Sequence, residues 1–286
     1  MTEDPTINAP RRRRRRIPPL RHGVYILPNL FTTAGLFAGF YSIICTLNAR
    51  YDIAATMILV AQLCDVLDGR IARLTRTTSS FGIQYDSLAD LIAFGVAPGI
   101  LVYQWALSPW GRWGWLAASL YVTCGALRLA RFNVQIASAE KRYFIGLPIP
   151  AAADVIAATV LLFYFFGGEG AANKHILMLL VIYGVAALMV SEVRYYSFKE
   201  IRFHHRHPFG VLLGLIVLLV LTIGAPEAML FLGITGYAFS GPILALVRRL
   251  RAAPVAAQAE PGPPGLRAIP RPTDGASLLD KPGARR

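Results

Sequence analysis

Charge is scarce in this chain, and acid is scarcer than base. Charged residues make up 16% of the 286 residues, with 16 Asp and Glu against 29 Lys and Arg. Cysteine is nearly absent. Cys45, Cys64 and Cys124 all lie inside apolar runs, with neither the pairing framework of a disulfide-stapled domain nor a Cys/His zinc spacing. They read as small core residues. No small-residue cleavage site convincingly follows the first apolar run, so a removable signal peptide is not expected, and the first span is expected to act as an uncleaved anchor. The net charge is +13. A basic balance can serve nucleic acid or an anionic membrane surface, but no nucleic-acid-binding module accompanies it, and nucleic acid is not expected as a partner.

Apolar residues, by contrast, are abundant. They make up 55% of the chain, and the mean hydropathy of +0.49 is too high for an ordinary soluble domain and fits a polytopic membrane protein. A bilayer core needs about 20 apolar residues per helix. Eight segments qualify: 25–48, 52–75, 84–107, 112–134, 148–167, 175–197, 208–225 and 228–247. The fold class expected is therefore all-α, integral to the membrane, with about eight transmembrane helices. Loop charge tests the count, because cytoplasmic loops are enriched in Lys and Arg. With the N-terminus inside, the inner segments carry Arg11–Arg16 and Arg21, then Arg73 and Arg76, then Arg128, Arg131, Lys141 and Arg142. Arg194, Lys199, Arg202 and Arg206 follow, and finally Arg248, Arg249 and Arg251. The outer segments carry Arg50, Arg112 and Lys174. Losing one span would invert the later loops and spoil the asymmetry. Three regions result: a cytoplasmic polybasic segment 1–23, a membrane domain 24–250, and a tail 251–286 rich in Pro, Ala, Gly and Arg, without hydrophobic periodicity and expected to be disordered. The run Arg11–Arg16 suits anionic lipids, at about 1 kcal/mol per residue near the surface.

Within this apolar chain, Asp65, Asp68, Asp86 and Asp90 fall in the second and third spans. A charge at a helix centre costs about 2.5–3.5 kcal/mol, so four would cost on the order of 10 kcal/mol if left facing lipid. Position and spacing offset this. All four lie near the cytoplasmic ends of their spans. Asp65, Asp68 and Ala72 share one helix face, and Asp86 and Asp90, at i and i+4, share another. A short connector, 76–83, makes the two spans antiparallel neighbours, so the faces can meet. Converging carboxylates repel unless cations sit between them, and hard oxygen ligands suit Mg²⁺ or Mn²⁺. Gly69 leaves room beside Asp68, Ala72 keeps the next turn small, Arg73 suits phosphate, and Gly82 opens the start of the third span. Together they describe a two-metal phosphate site at the inner membrane face. Salt bridges to Arg70, Arg73 and Arg76 are the plainer alternative. A proton or ion pathway is the stronger rival, though it explains neither the clustering at one membrane face nor the glycines.

The pattern D-x-x-D-G-x-x-A-R-x(8)-G-x-x-x-D-x-x-x-D, read here as Asp65, Asp68, Gly69, Ala72, Arg73, Gly82, Asp86 and Asp90, resembles the signature of the CDP-alcohol phosphatidyltransferases, with every spacing intact. The resemblance covers roughly residues 20–250. It implies a six-helix family core, here with two further helices, and an active site at the cytoplasmic end of helices 2 and 3. The implied reaction moves a phosphatidyl group from a CDP-linked lipid to an alcohol and releases CMP. Asp65, Asp68 and Asp86 would hold two Mg²⁺ or Mn²⁺ ions, and Asp90 would both bind metal and act as general base. Gly69, Ala72, Arg73 and Gly82 would line the nucleotide and diphosphate region. A homodimer through membrane helices is also implied.

The acceptor alcohol is less plainly marked. Relatives that make phosphatidylglycerophosphate usually continue "PLADK", but Leu91 stands here in place of that lysine. "YILPNLFT" (25–32), "ALRLARFN" (126–133) and "FIGLPIPAAA" (144–153) resemble phosphatidylserine synthases of the integral-membrane type. That likeness implies CDP-diacylglycerol and L-serine as substrates, with Arg128, Arg131 and Asn133 at the serine. The arginines could instead only mark the inner boundary. Other acceptors within the family, glycerol 3-phosphate, inositol phosphate or choline, stay open. Asn29 and Thr32, at i and i+3, could face the nucleotide or simply start a helix after Pro28. Pro148 and Pro150 are expected to set the start of the fifth span. Asp154 reads as a buried acid paired with an arginine, and "RFHHRH" (202–207) as a polar interfacial loop.

Overall fold

The computed structural model describes residues 26–75, 79–137, 144–171, 176–195 and 208–252. Among them the architecture is helical. α1 (Ile26–Leu47) and α2 (Tyr51–Thr75) form a hairpin closed at Asn48–Arg50, and α3 (Ser80–Asp90) follows. From Asp90 the chain stays helical without a break but changes winding. A π-helical turn (Leu91–Val96) leads into α4 (Ala97–Val102), a second π turn (Tyr103–Leu107) and a 3₁₀ turn (Ser108–Trp110). α5 (Arg112–Ala137), α6 (Ile149–Phe165), α7 (Ile176–Val190), α8 (Pro208–Gly224) and α9 (Pro226–Ala252) complete the order. A two-residue antiparallel ladder, β1 (Phe144–Ile145) with β2 (Arg194–Tyr195), ties the segment before α6 to the segment after α7.

Each of the eight expected segments contains helix, with shifted limits. The third runs from Ser80 to Trp110 rather than 84–107, and the sixth ends at Val190, short of 197. By length and composition, Pro28–Leu47, Ser80–Trp110 and Pro226–Leu244 can cross a membrane. α6, α7 and the stretch Leu212–Gly224 of α8 are shorter apolar helices. The described residues up to Leu246 belong to one contact unit, and residues from Val247 belong to a second, described only as the end of α9. The polybasic run, the histidine-rich loop and the tail beyond Ala252 lie outside the described residues.

α1 is the keel of the first unit, because both α2 and α3 pack on it. The π turn after α3 also comes close to α1 at a small residue: a Cβ on Gly39 would stand 2.7 Å from Ala93 Cα. This alters the expected arrangement, in which α2 and α3 were each other's neighbours. α3 packs mainly on α1, and the carboxylates of α2 and α3 meet beside it. α6 packs against α2, and α5 packs against α7 and the first π turn. The core formed this way includes Ile58, Phe94, Tyr121, Ile149 and Ile182. Pro98 explains one of its polar contacts. Lacking an N–H, it cannot bond the carbonyl four residues back, and the buried Tyr121 hydroxyl donates to that carbonyl, Phe94 O, at 2.8 Å. Gly146 adopts φ +81°, open to glycine at little cost, between β1 and α6. There its N–H donates to Val193 O at 2.9 Å.

Candidate active site

The aspartates stand on two helices braced by a third. One carboxylate oxygen from each of Asp65, Asp68 and Asp86 lies within 4.8 Å of the others. Asp68 is buried, at 5% exposure, and Asp65 and Asp86 are half-buried. From α1, Thr32 is buried beside them, and its Oγ1 donates to Asp68 Oδ2 at 2.9 Å and reaches Pro28 O at 3.2 Å. One residue along, the Thr33 and Tyr85 hydroxyls share a hydrogen bond of 2.9 Å, which pins α3 to α1 next to Asp86. Ser79 caps α3 by accepting from the Gly82 N–H at 2.9 Å.

Among the described residues no arginine pairs with any of the four aspartates. Arg73 is exposed, and its Nε donates to Gly69 O, on its own helix, at 2.8 Å. The salt-bridge alternative therefore has no support at Arg70 or Arg73, and Arg76 lies outside the described residues. Three carboxylates facing one another, without a protein cation between them, are a hard oxygen donor set that fits a divalent ion such as Mg²⁺ or Mn²⁺. The fit is chemical: the donors are of the right kind and converge.

Asp90 stands apart from this group of three. It is half-buried, one turn beyond Asp86, where α3 passes into the π turn. With Asp65, Thr32, Ala61 and Ala93 it lines a narrow crevice between α1, α2 and the α3–π junction. π turns of this kind often occur at functional sites. Ala72 is half-buried, one turn from Asp68. A Cβ on Gly69 would meet only Arg73 Nη2, at 4.0 Å, so the side of α2 next to Asp68 is open. A Cβ on Gly82 would lie 3.5 Å from Asn29 Oδ1. Asn29 is thus brought to the start of α3, where the i, i+3 spacing with Thr32 had suggested a shared role.

The expected acceptor residues lie on α5. Asn133 Nδ2 donates to Ser87 Oγ at 2.9 Å, so α5 touches α3 next to Asp86. Arg128 is half-buried, and its Nη2 donates to Gly146 O at 3.4 Å, facing the segment before α6. Arg131 is exposed. The structure brings together Thr32, Asp65, Asp68, Asp86 and Asp90, sets Asn29, Gly82 and Asn133 around them, and leaves Arg73 and Arg131 exposed. Two contributors lay outside the motif. Tyr85 carries no pattern that singles it out. Asp154, on α6, was legible only as a lone acid in an apolar span. Among the described residues it has no arginine partner, contrary to expectation. Its Oδ1 is buried without a hydrogen bond, and its carboxylate lies within electrostatic reach of Asp65.

Comparison with known proteins agrees with this geometry. The CDP-alcohol phosphatidyltransferase family model matches residues 25–193, from the start of α1 to just past α7. A CDP-diacylglycerol--serine O-phosphatidyltransferase of Helicobacter pylori (strain ATCC 700392 / 26695) is 41% identical over 181 residues, covering 63% of this chain and 76% of that protein. An archaetidylserine synthase of Methanothermobacter thermautotrophicus is 37% identical over 171 residues, 59% of this chain and 69% of that protein. A CDP-diacylglycerol--serine O-phosphatidyltransferase of Mycobacterium tuberculosis (strain ATCC 25618 / H37Rv) is 40% identical over 141 residues, 46% of this chain and 49% of that protein. The matched region contains every aspartate of the cluster and the helices that position them, and the chain belongs to the CDP-alcohol phosphatidyltransferase family of enzymes.

Proposed function

We propose that the protein transfers the phosphatidyl group of CDP-diacylglycerol to the hydroxyl of L-serine, giving phosphatidylserine and CMP. The observation that carries the acceptor is the 41% identity, over 76% of its length, to a relative named for that reaction. The convergence of Asp65, Asp68 and Asp86 supports the chemistry. Asp65, Asp68, Asp86 and Asp90 would hold two Mg²⁺ or Mn²⁺ ions. Bound there, the ions would neutralise the diphosphate and the departing CMP.

The chain's own residues do the rest. Asp90, on the crevice wall with Asp65, takes the proton from the acceptor hydroxyl. The hydroxyl oxygen then bonds to the phosphorus that bears the diacylglycerol, and the bond from that phosphorus to the CMP oxygen breaks in line. Thr32 holds Asp68 in place through its hydroxyl. Gly69 and Ala72 leave the side of α2 open for the nucleotide, with Asn29 and Gly82 at the start of α3. Arg73, exposed at the same end, has a side chain long enough to turn towards a diphosphate. Arg128, Arg131 and Asn133 take the serine from α5.

The protein is read as an integral inner-membrane enzyme that crosses eight times, with both termini and the site cytoplasmic. Residues 1–23 contact anionic lipid, 24–250 form the catalytic domain, and two copies pair through membrane helices. Loop charge supports the orientation, and the apolar helices support the membrane setting. Family membership leaves the ion-pathway reading of the cluster without independent support.

The test is an acceptor screen. Purified protein in lipid or detergent, given CDP-diacylglycerol, Mg²⁺ or Mn²⁺ and labelled serine, releases CMP and a labelled lipid. CMP release with glycerol 3-phosphate or inositol phosphate, and none with serine, overturns the acceptor and leaves the family standing.

A further inference from the structure

Among the described residues, the Oδ1 of Asp154 is buried without a hydrogen-bond partner, on the helix that packs against α2. α6 packs on α2, and Asp154 sits six residues beyond Pro148, about 9 Å along the helix at 1.5 Å per residue. This places it deeper than the segment where Arg128 donates to Gly146 O. The helix around it is apolar and closely packed, with Ala152, Ala153, Val155 and Ile156 buried. One of its carboxylate oxygens is buried without a hydrogen bond, and a buried carboxylate is costly unless a cation or donor meets it. Its polar surroundings are few. Tyr121, on α5, lies within its electrostatic reach, but that hydroxyl already donates to Phe94 O. The other neighbour is Asp65, which is also an acid. Gln62, one turn before Asp65 on α2, likewise has a buried Oε1 without a partner. Among the described residues, no cation is paired with the Asp154 carboxylate.

We propose that Asp154 anchors the ammonium group of an amino-alcohol acceptor, and so selects serine over acceptors without that group. The inference rests on the serine reading above and deepens it. In serine the ammonium nitrogen is three bonds from the hydroxyl oxygen. Whatever holds it must stand next to the residues that meet the hydroxyl, yet be distinct from the four motif aspartates. Asp154 is not a motif aspartate, it stands on the helix packed against α2, and it lies within electrostatic reach of Asp65 on the crevice wall. The substrate's two charges then separate along the site: ammonium inward to Asp154, carboxylate outward to Arg128 and Arg131. An acceptor lacking the ammonium would leave the Asp154 oxygen buried and unpaired, and rejection follows from that cost.

The experiment compares wild type with Asp154→Asn and Asp154→Ser, which remove the charge and keep a small polar side chain. KM for serine rises at least tenfold in both variants, while KM for CDP-diacylglycerol stays within twofold. Inhibition by 3-hydroxypropionate, which has the hydroxyl and carboxylate but no ammonium, strengthens in both variants, because the unpaired charge that rejects it is gone. A structural role would weaken CDP-diacylglycerol and 3-hydroxypropionate binding together with serine, and that outcome overturns the proposal. So does an unchanged serine KM, or loss of CDP-diacylglycerol binding in both variants. If the wild type rejects serine and uses an acceptor without an ammonium group, the acceptor reading and this inference both fall. If it accepts serine and the variants change nothing, this inference alone falls.

Discussion

Asp68 and Asp90 occupy the same motif but different surroundings. Asp68 is buried and takes a hydrogen bond from Thr32, whereas Asp90 faces the crevice and lies outside the tight group of three. That difference suits a fixed ligand in one case and a base with room for a substrate hydroxyl in the other. Asp90→Asn keeps the shape and removes the proton acceptor. It is expected to lower kcat by roughly 10²- to 10⁴-fold while CDP-diacylglycerol binding, measured by direct titration, stays close to wild type. Near-normal turnover would remove Asp90 from the base role. The motif residues could be picked out from the sequence because their spacing follows the helical repeat. Thr32 was legible only as a neighbour of Asn29, since its bond to Asp68 spans 36 positions and no local pattern encodes it. Arg73 shows the reverse. Its charge and place in the motif point to phosphate, yet its Nε rests on Gly69 O of its own helix.

Among the helices, α1 does more than its sequence suggests. The spacing of the aspartates implied that α2 and α3 would face each other directly. Instead α1 serves as the common support, and the carboxylates converge along its flank. Gly39 is where this contact is tightest. Gly39→Val would place a Cβ 2.7 Å from Ala93 Cα, at the foot of the π turn that follows Asp90. Overpacking of this kind costs about 1–3 kcal/mol. A lower midpoint in thermal unfolding of the detergent-solubilised protein is expected, together with reduced turnover. Gly184→Ala, on α7, meets nothing within 4 Å and serves as the clash-free control, expected to leave the midpoint unchanged or slightly higher. Equal midpoints for the two variants would show that α1 does not depend on close approach at Ala93. The π turns were not legible. A helical period near 3.6 reads the same through a locally widened turn.

Across the whole molecule, apolar surface and acidic centre divide the work. From Leu212 to Gly224 every side of α8 is exposed, although the helix is almost wholly apolar. A helix apolar all round needs a nonaqueous neighbour, and a bilayer supplies one. Three motif aspartates meet at one place, and the described residues supply no cation among them. Chelation of divalent ions should therefore abolish turnover, and Mg²⁺ or Mn²⁺ should restore it, as read by CMP release from CDP-diacylglycerol. Activity that survives exhaustive chelation would sink the metal assignment. By itself, the sequence determined the helical segments, the acidic motif and its family likeness, because each is written in local composition or in spacings along one or two helices. The tertiary structure decided which helix braces the carboxylates, which acid stands apart, and that Asp154 of α6 comes within reach of Asp65. Those facts depend on contacts between residues far apart in the chain, and no period of the sequence records them.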